Sequence, residues 1–123
     1  MIVEDDVQNV VENGKITGFQ FGARLPYYRG LGLSMVEEIR IKIDGEEIPQ
    51  SKIKLTVHGN TYSFAQLETE PEDRWEMGEV AYITIPKEGG LTKGDHKINL
   101  MLNLRISYMP FPTIRLSEKI ITL

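Results

Sequence analysis

Apolar residues along this chain recur mostly at every second position, in runs rich in Ile, Val, Thr, Tyr and Phe. A period of two with β-branched and aromatic residues is typical of strands that bury one face. The longest run covers 96–108, and only Met101 breaks its alternation. A strand of that length would span about 43 Å at ~3.3 Å per residue, which is unusually long. The pattern therefore predicts a bulge or bend near 101–103 and an end at Pro110 and Pro112.

Shorter runs with the same alternation predict the remaining strands. In chain order these are Val7–Val11, Ile16–Phe21, 37–43, 52–58, Thr61–Phe64 and 79–85. Tight turns are predicted at three dipeptides of Gly with Asn or Asp, residues that readily adopt turn conformations. These are Asn13-Gly14, Asp44-Gly45 and Gly59-Asn60. The run 79–85 is apolar at consecutive positions, which indicates a central strand covered on both faces. The only predicted helix is a single turn over Ala65–Thr69.

Seven or eight short strands without a helix of ordinary length predict an all-β fold. We expect a two-sheet antiparallel β-sandwich, of immunoglobulin-like or jelly-roll type, that forms a single domain over residues 1–123. A chain of this length suits one domain and can bury a core without disulfides or a structural metal. Leu91 is the one apolar residue in a turn-rich loop and is predicted to close one end of the core.

Composition and charge narrow the possible functions. The chain has no cysteine, which excludes a disulfide framework, thiolate metal sites and a cysteine nucleophile, and which suits a reducing cytosol. Its 14 basic and 18 acidic residues give a net charge of −4, so a nucleic-acid partner held by a basic surface is disfavoured. No apolar run reaches the ~20 residues of a membrane span, and the acidic start is unlike a signal peptide. We therefore expect a cytoplasmic protein with no nucleic-acid or membrane partner.

Residues that often perform catalysis are scattered without a recognisable motif. His58 and His96 each stand at the end of a predicted strand, where a surface or turn histidine is favoured over a metal ligand. The sequence has no G-x-S-x-G elbow and no glycine-rich phosphate-binding motif. Acidic residues crowd around Trp75, namely Glu68, Glu70, Glu72, Asp73, Glu76 and Glu79. A solvated surface explains these carboxylates better than a glycosidase pair or a calcium site does.

Three segments contain more aromatic and arginine residues than are needed to cover the ends of a core of this size. They are Phe21–Met35, Asp73–Glu79 and Ser107–Pro112. Glycine and proline interrupt the first and last, which indicates loops rather than regular strands. Tyr, Trp, Met, Phe and Arg are enriched at the hot spots of protein–protein interfaces. The three segments therefore predict a contact patch, while any single aromatic side chain could instead cap an end of the sandwich.

The first of these segments and the shorter motifs after it closely resemble the small β subunits of bacterial C-glycoside deglycosidases. The residues that resemble this family are Asn9–Met35, Gly59–Tyr62, Asp73–Trp75, Gly78-Glu79 and Leu104–Pro110. They extend over nearly the whole chain. The string Arg-Leu-Pro-Tyr-Tyr-Arg-Gly at 24–30 makes the resemblance specific, because a generic β-sandwich would not be expected to contain it.

The resemblance implies a noncatalytic subunit. In that family a larger α subunit of TIM-barrel type holds a divalent metal ion, expected to be manganese, and the acid–base residues, so this chain would need no cofactor or metal. The joint reaction cleaves the bond between a sugar carbon and an aromatic aglycone, such as a flavonoid, after the 3-hydroxyl of the sugar has been oxidised. The 3-keto group acidifies the hydrogen on C2, so a base and a metal-stabilised enolate let the aglycone leave.

Candidate contacts with such a partner are the aromatic, arginine and apolar side chains of the three segments. They are Arg24, Leu25, Tyr27, Tyr28, Arg29, Arg74, Trp75, Met109 and Phe111. No catalytic, cofactor-binding or metal-ligating residue is assigned to this chain. Two other functions stay open: a carbohydrate-binding β-sandwich module would stack Tyr27, Tyr28 and Trp75 on sugar rings, and a free-standing hydrolase would use the acidic residues around Trp75.

Overall fold

The structure, a computed structural model, describes residues 2–24, 31–69, 73–76, 79–105 and 113–122. The strands in these ranges are β1 (Ile2–Glu12), β2 (Lys15–Arg24), β3 (Leu31–Gly32), β4 (Val36–Ile43), β5 (Glu46–Ile48), β6 (Lys54–Val57), β7 (Asn60–Ser63), β8 (Arg74–Trp75), β9 (Val80–Pro86), β10 (Asp95–Leu104) and β11 (Thr113–Thr122). The helical elements are α1 (Phe64–Thr69) and two 3-10 turns, Leu33–Met35 and Gln50–Lys52. Within the described ranges, no helix is long and apolar enough to cross a membrane.

The strands form two main sheets and one small ribbon. The first sheet has the order β1-β2-β9-β6-β7, the second has the order β11-β10-β4-β5, and β3 pairs with β8. All these pairs are antiparallel. The predicted all-β fold, a two-sheet antiparallel β-sandwich with almost no helix, is confirmed.

The core lies between the two sheets and follows the period-two pattern. On the first sheet, Phe19 pairs with Ile85 and Phe21 with Ile83, and all four side chains are fully buried. The second sheet contributes the inward residues of β4 and β10, which are Val36, Ile39, Ile41, Ile43, Ile98, Leu100, Leu102 and Leu104. Burying a side chain of this size stabilises the fold by about 1.5–3 kcal/mol relative to leaving it exposed. Leu91 is also buried and is held by Asn9, whose side chain bonds both the amide and the carbonyl of Leu91, as predicted for a residue that closes the core.

Two of the predicted tight turns are confirmed, and the third is displaced by one residue. Asn13-Gly14 and Asp44-Gly45 both have positive φ, which the shortest hairpin turns require at their two central positions. In the third hairpin the positive φ values belong to His58 and Gly59, at 53° and 78°. Asn60 is therefore already the first residue of β7. The side chain of His58 consequently projects from the tip of this turn.

The strand β10 is shorter than its run of alternating residues. It ends at Leu104, and the predicted bulge appears as a register shift against β4 between Asn103 and Leu104. Residue 105 follows outside the strand, and 106–112, with both prolines, lies outside the described residues.

The prediction that β9 is covered on both faces is wrong in one respect. The strand is central in its sheet, with β2 on one side and β6 on the other. Ala81, Ile83 and Ile85 are fully buried, whereas Tyr82 and Thr84 on the other face are only half-buried. The outer face of β9 is thus partly exposed, and a run that is apolar at consecutive positions does not mean two fully buried faces.

Candidate functional site

The described residues at the borders of the three loop segments lie at one end of the sandwich. Arg24 at the end of β2 pairs with Val80 at the start of β9, and Leu104 at the end of β10 pairs with Val36 at the start of β4. The antiparallel register thus brings the borders of all three segments to the same edge. We call this edge the loop end and define it by Arg24, Leu31–Met35, His58–Asn60, Asp73–Glu76, Glu79 and Arg105.

Backbone hydrogen bonds join the first segment to the second. Leu31 pairs with Trp75 and Gly32 with Arg74 in the ribbon of β3 and β8. The Leu33 amide then donates to the carbonyl oxygen of Asp73 at 3.1 Å. Side chains are not needed for these bonds, so the two segments keep a fixed spacing even where their side chains face outward.

The last described residue before the third segment, Arg105, lies beside the end of the first segment. The Arg105 amide donates to the Met35 carbonyl oxygen at 2.8 Å, and the Arg105 guanidinium lies 3.3 Å from the Glu37 carboxylate. Arg105 is the last described residue before the third segment, all of which lies outside the described ranges. The chain therefore enters that segment from the same edge at which the other two meet.

Trp75 was predicted as a partner contact, but the structure places its side chain in the core. Its relative exposure is 0%, and its indole Nε1–H donates to the Glu79 carbonyl oxygen at 2.8 Å. The pairing of β8 with β3 turns this side chain inward, so the ring faces the sandwich interior. An indole in this position supports the loop end from beneath and is not available for stacking on a sugar or a partner side chain.

Two of the other candidate contacts, Arg24 and Arg74, lie among the residues that the structure describes. Arg24 and Arg74 are exposed at the loop end, and the Arg74 guanidinium is 3.0 Å from the Glu76 carboxylate. The remaining candidates, Leu25, Tyr27, Tyr28, Arg29, Met109 and Phe111, lie outside the described residues. Their role as contacts therefore stays a prediction, whereas the strand ends that lead to them are fixed at the loop end.

His58 links the second segment to the turn between β6 and β7. Its Nδ1 lies 2.9 Å from Asp73 Oδ1, and its Nε2 lies 2.7 Å from Glu79 Oε2. A carboxylate can only accept a hydrogen bond, so both ring nitrogens must donate and the ring in this geometry is an imidazolium cation. Hydrogen bonds to Asp73 and then Glu79 raise the pKa of His58, in agreement with that protonation state. We call His58, Tyr62, Asp73 and Glu79 the His58 cluster.

Asp73 is the centre of the His58 cluster. The Tyr62 hydroxyl donates to its Oδ2 at 2.7 Å, and the Arg74 amide donates to its Oδ1 at 2.9 Å. Hydrogen bonds from Tyr62 and His58 lower the pKa of Asp73 to about 2, because each of them stabilises the carboxylate. Asp73 therefore stays charged throughout the physiological range and holds two motif segments together.

Sequence reasoning missed the His58 cluster. It interpreted His58 as a turn histidine and Asp73 and Glu79 as solvated carboxylates, because nothing local in the sequence pairs them. One available signal was that Tyr62, Asp73 and Glu79 fall in separate pieces of the family motif. In the structure Tyr62 bonds Asp73 directly, and His58 links Asp73 to Glu79.

His96 forms a similar link at the opposite end, where sequence reasoning expected a surface or turn histidine. The ring is buried, with a relative exposure of 9%. Its Nδ1 lies 2.7 Å from Asp44 Oδ2 and its Nε2 lies 2.8 Å from the Thr92 carbonyl oxygen. Both partners are acceptors, so His96 is also an imidazolium in this geometry. Its role is to hold the turn after β4 against the loop before β10.

The described residues present a structural network rather than a reactive centre. Among them, no group of three or more His, Asp and Glu side chains could hold a metal ion. Both nitrogens of each described histidine are already engaged by acceptors. A general base needs a free lone pair at its reacting nitrogen. The hydrogen bonds of the β3–β8 ribbon and the His58 cluster hold the described part of the loop end in a fixed arrangement.

Comparison with known proteins points to one family. A family model described as C-glycoside deglycosidase beta subunit matches residues 1–108. A C-glycoside deglycosidase beta subunit of Eubacterium cellulosolvens is 35% identical over 98 residues, which are 80% of this chain and 67% of the relative. A 3'-dehydrocarminate deglycosidase beta subunit of a Microbacterium species is 30% identical over 96 residues, covering 76% and 70% of the two chains. A C-glycoside deglycosidase beta subunit of Arthrobacter globiformis is 29% identical over 99 residues, covering 80% and 75%.

Proposed function

We propose, since this chain belongs to the C-glycoside deglycosidase beta subunit family, that it is the noncatalytic member of a hetero-oligomeric deglycosidase. A beta subunit implies at least one other subunit. In this proposal the partner is a metal-dependent α subunit of TIM-barrel type, and this chain binds it and stabilises it. The complex cleaves the carbon–carbon bond between sugar and aglycone in 3-oxo C-glucosides of flavonoids or related polyphenols.

The substrate class is supported by the printed names of the relatives. Two names carry this part of the proposal: C-glycoside deglycosidase and 3'-dehydrocarminate deglycosidase. The second name describes a sugar with an oxidised hydroxyl, which matches the chemistry expected for breaking a C–C bond. A carbonyl beside the carbon that loses its proton makes that loss easier. A metal ion in the partner would stabilise the resulting negative charge on oxygen.

The observation that supports a docking role most strongly is the convergence at the loop end. The described residues that border three segments rich in Tyr, Trp, Met and Arg lie there, and the β3–β8 ribbon and the His58 cluster join the first two segments. An interface whose backbone is ordered before binding loses less conformational entropy on association. The described residues offer no competing reactive centre. We therefore place the partner's contact at the loop end.

The proposal is tested by expressing the chain with the protein encoded beside it and assaying aglycone release from a 3-oxo C-glucoside. Each protein is assayed alone and then both are assayed together. We expect a stable complex, with activity that needs the partner and is greatest in the mixture. Failure to form a complex, or full activity from the partner without this chain, would contradict the proposal.

A matched pair of tyrosines locates the contact. Tyr28→Ala, in the first segment, is expected to weaken association by about 2 kcal/mol or more, roughly 30-fold. Tyr82→Ala is the control for losing a tyrosine side chain, because Tyr82 is half-buried within β9, two residues further from the loop end than Val80. Equal effects of the two substitutions would argue against contact through the loop end.

A further inference from the structure

The ring of His58 bridges two carboxylates and is open to solvent at the loop end. Its Nδ1 lies 2.9 Å from Asp73 Oδ1, and its Nε2 lies 2.7 Å from Glu79 Oε2. The side chains of His58, Asp73 and Glu79 have relative exposures of 45%, 14% and 29%. A molecule that covers the loop end therefore removes water from this charged group.

The backbone on each side of the ring is held independently of the charge on the ring. His58 stands at the tip of a turn with a φ of 53°, and the strand before it, β6, is paired with both β7 and β9. The Asp73 carbonyl oxygen accepts a hydrogen bond from the Leu33 amide at 3.1 Å. The Glu79 amide donates to the Glu76 carbonyl oxygen at 3.0 Å. Loss of the ring proton thus leaves these segments in place and changes mainly the charge of the surface.

The groups around the ring are acidic in sum. Among the described residues, Asp73 and Glu79 are the titratable groups that contact His58. Beside them, the Arg74 guanidinium is paired with the Glu76 carboxylate at 3.0 Å. With the ring protonated, these five side chains have a net charge of −1, because the pair is neutral and the ring offsets one of the other two carboxylates. Loss of the ring proton makes the net charge −2.

A neutral His58 ring cannot donate to both carboxylates, because one of its nitrogens is then an acceptor. Asp73 still receives hydrogen bonds from the Tyr62 hydroxyl and the Arg74 amide. Glu79 keeps the Glu76 amide at 3.3 Å as its donor among the described residues. Water can replace the missing donor while the loop end is exposed. It cannot do so once another molecule covers the cluster.

We propose that binding of the partner subunit at the loop end takes up a proton at His58, so that association is tight at slightly acidic pH and weakens as the pH rises. The inference rests on the proposed function, because it describes the regulation of the same docking surface. Burying a carboxylate that lacks a donor costs more than burying one that is paired. The charged ring is therefore favoured more strongly in the complex than in the free chain.

The pH range of the effect lies above the ordinary pKa of histidine. Hydrogen bonds to Asp73 and Glu79 already raise the pKa of His58 above 6.5 in the free chain. Docking raises it further, because the charged ring then neutralises a carboxylate that water no longer reaches. Below the pKa of the free chain the ring is charged in both states, and the affinity does not depend on its titration. Between the two pKa values the complex takes up one proton, and the Kd rises about tenfold for each pH unit.

His58 is the one side chain of the loop end whose ordinary pKa lies near neutral pH. The chain has two histidines and no cysteine. The other histidine, His96, lies at the opposite end, bonded to Asp44 and to the Thr92 carbonyl oxygen. Proton uptake that disappears when His58 is replaced can therefore be assigned to this ring. Titrating groups of the partner are the same in both measurements and cancel in the comparison.

Isothermal titration calorimetry of the chain with the protein encoded beside it, between pH 6.5 and 8.5, tests the proposal. Measurements in phosphate and in Tris count the protons taken up, because the two buffers differ in ionisation enthalpy. His58→Asn is the test variant, since Asn tolerates the positive φ of the turn and does not titrate. We expect the Kd of the natural chain to rise with pH about fivefold more than that of His58→Asn, with proton uptake that the variant lacks.

His96→Gln is the matched control, because it removes a histidine from the opposite end and should keep the pH profile of the natural chain. Circular dichroism at each pH verifies that the variants are folded. Absence of a complex at every pH would contradict the proposed function and this inference together. A complex with the same pH profile for the natural chain and His58→Asn would overturn the inference alone. So would a Kd that falls with pH relative to the variant, since a cation of the partner would then replace the ring beside Glu79.

Discussion

The Nδ1 atom of His58 lies 2.9 Å from Oδ1 of Asp73, and this contact joins the turn between β6 and β7 to the residue that precedes β8. Because Asp73 also bonds Tyr62 and the Arg74 amide, one carboxylate holds three parts of the loop end in place. The second nitrogen of His58 reaches Glu79, just before β9. The charged ring of His58 thus adds side-chain bonds to a surface that the β3–β8 ribbon already holds through its backbone.

The His58 cluster should loosen as the pH rises. Its hydrogen bonds to Asp73 and Glu79 raise the pKa of His58 above the ordinary value of 6.5. The stabilisation by the charged ring is complete below pH 6.5 and is lost as the pH rises through the higher pKa of the folded state. On the acid side, the contribution of Asp73 is present above its ordinary pKa of 3.8 and is lost as the pH falls through about 2.

Nuclear magnetic resonance titration of the His58 ring checks this prediction. We expect a midpoint above 6.5, with amide exchange of Arg74 and Trp75 increasing above that midpoint by more than the intrinsic effect of pH. In His58→Gln the extra pH dependence of these two amides should disappear. A midpoint at or below 6.5 would mean that the two carboxylates do not hold the ring.

His96 should matter for global stability, because it is a buried cation with two hydrogen-bonded acceptors. Hydrogen bonds to Asp44 and to the Thr92 carbonyl raise the pKa of His96. His96→Leu leaves both acceptors without their donor and should lower the free energy of unfolding by about 1–3 kcal/mol. Urea denaturation of the variant and the parent at pH 6 measures this difference. The gap should narrow as the pH rises through the pKa of the folded ring, and a gap that widens instead would contradict the assignment.

Trp75 should behave as a core residue. Trp75→Ala removes a fully buried indole and is expected to cost about 3–5 kcal/mol of folding free energy. Arg74→Ala is the neighbouring control, since the Arg74 side chain is about half exposed and its loss should change stability by less than about 0.5 kcal/mol. Thermal unfolding of both variants separates the two roles. A stable Trp75→Ala protein that fails only to bind the partner would show instead that the indole is a surface contact.

Gly18 is required by the close approach of β2 and β9. A Cβ at this position would overlap the carbonyl oxygen of Ile85, which is backbone and cannot move aside without separating the strands. Gly18→Ala should therefore destabilise the fold by about 1–3 kcal/mol, as overpacking does. Gly32→Ala is the control, because its φ is −68° and its added Cβ would meet only the Ser34 hydroxyl, 4.0 Å away. Equal melting temperatures of the two variants would argue against the pairing of β2 with β9.

The period-two pattern predicted the sandwich because burial on one face dictates it directly. Runs such as Ile39, Ile41 and Ile43 have no other stable arrangement in water, and the turn dipeptide Asp44-Gly45 sets where the strand reverses. The pattern was less informative for β11. Its alternate apolar residues are visible in the sequence, but they face outward. A pattern of core-facing residues therefore does not predict this strand.

For the candidate site, the sequence predicted which residue types it contains but not how they are arranged. Aromatic and arginine residues marked the three segments, but their meeting at one end depends on the order of strands in the two sheets. The contacts of His58 with Asp73 and Glu79 join residues 15 and 21 positions apart, and no local spacing rule relates them. The sequence did not predict that Trp75 is buried, for the same reason. The two-residue pairing of β8 with β3, which turns the side chain inward, has no recognisable sequence motif.

Hydrogen–deuterium exchange of the chain, alone and with its partner subunit bound, tests the central claim most directly. We predict that the partner protects the amides of the loop end, above all around Leu31–Met35, Asp73–Glu76 and Arg105. The opposite end, with Asn13-Gly14 and Asp44-Gly45, should exchange at the same rate in both states. Protection confined to that opposite end, with the loop end unchanged, would contradict the account.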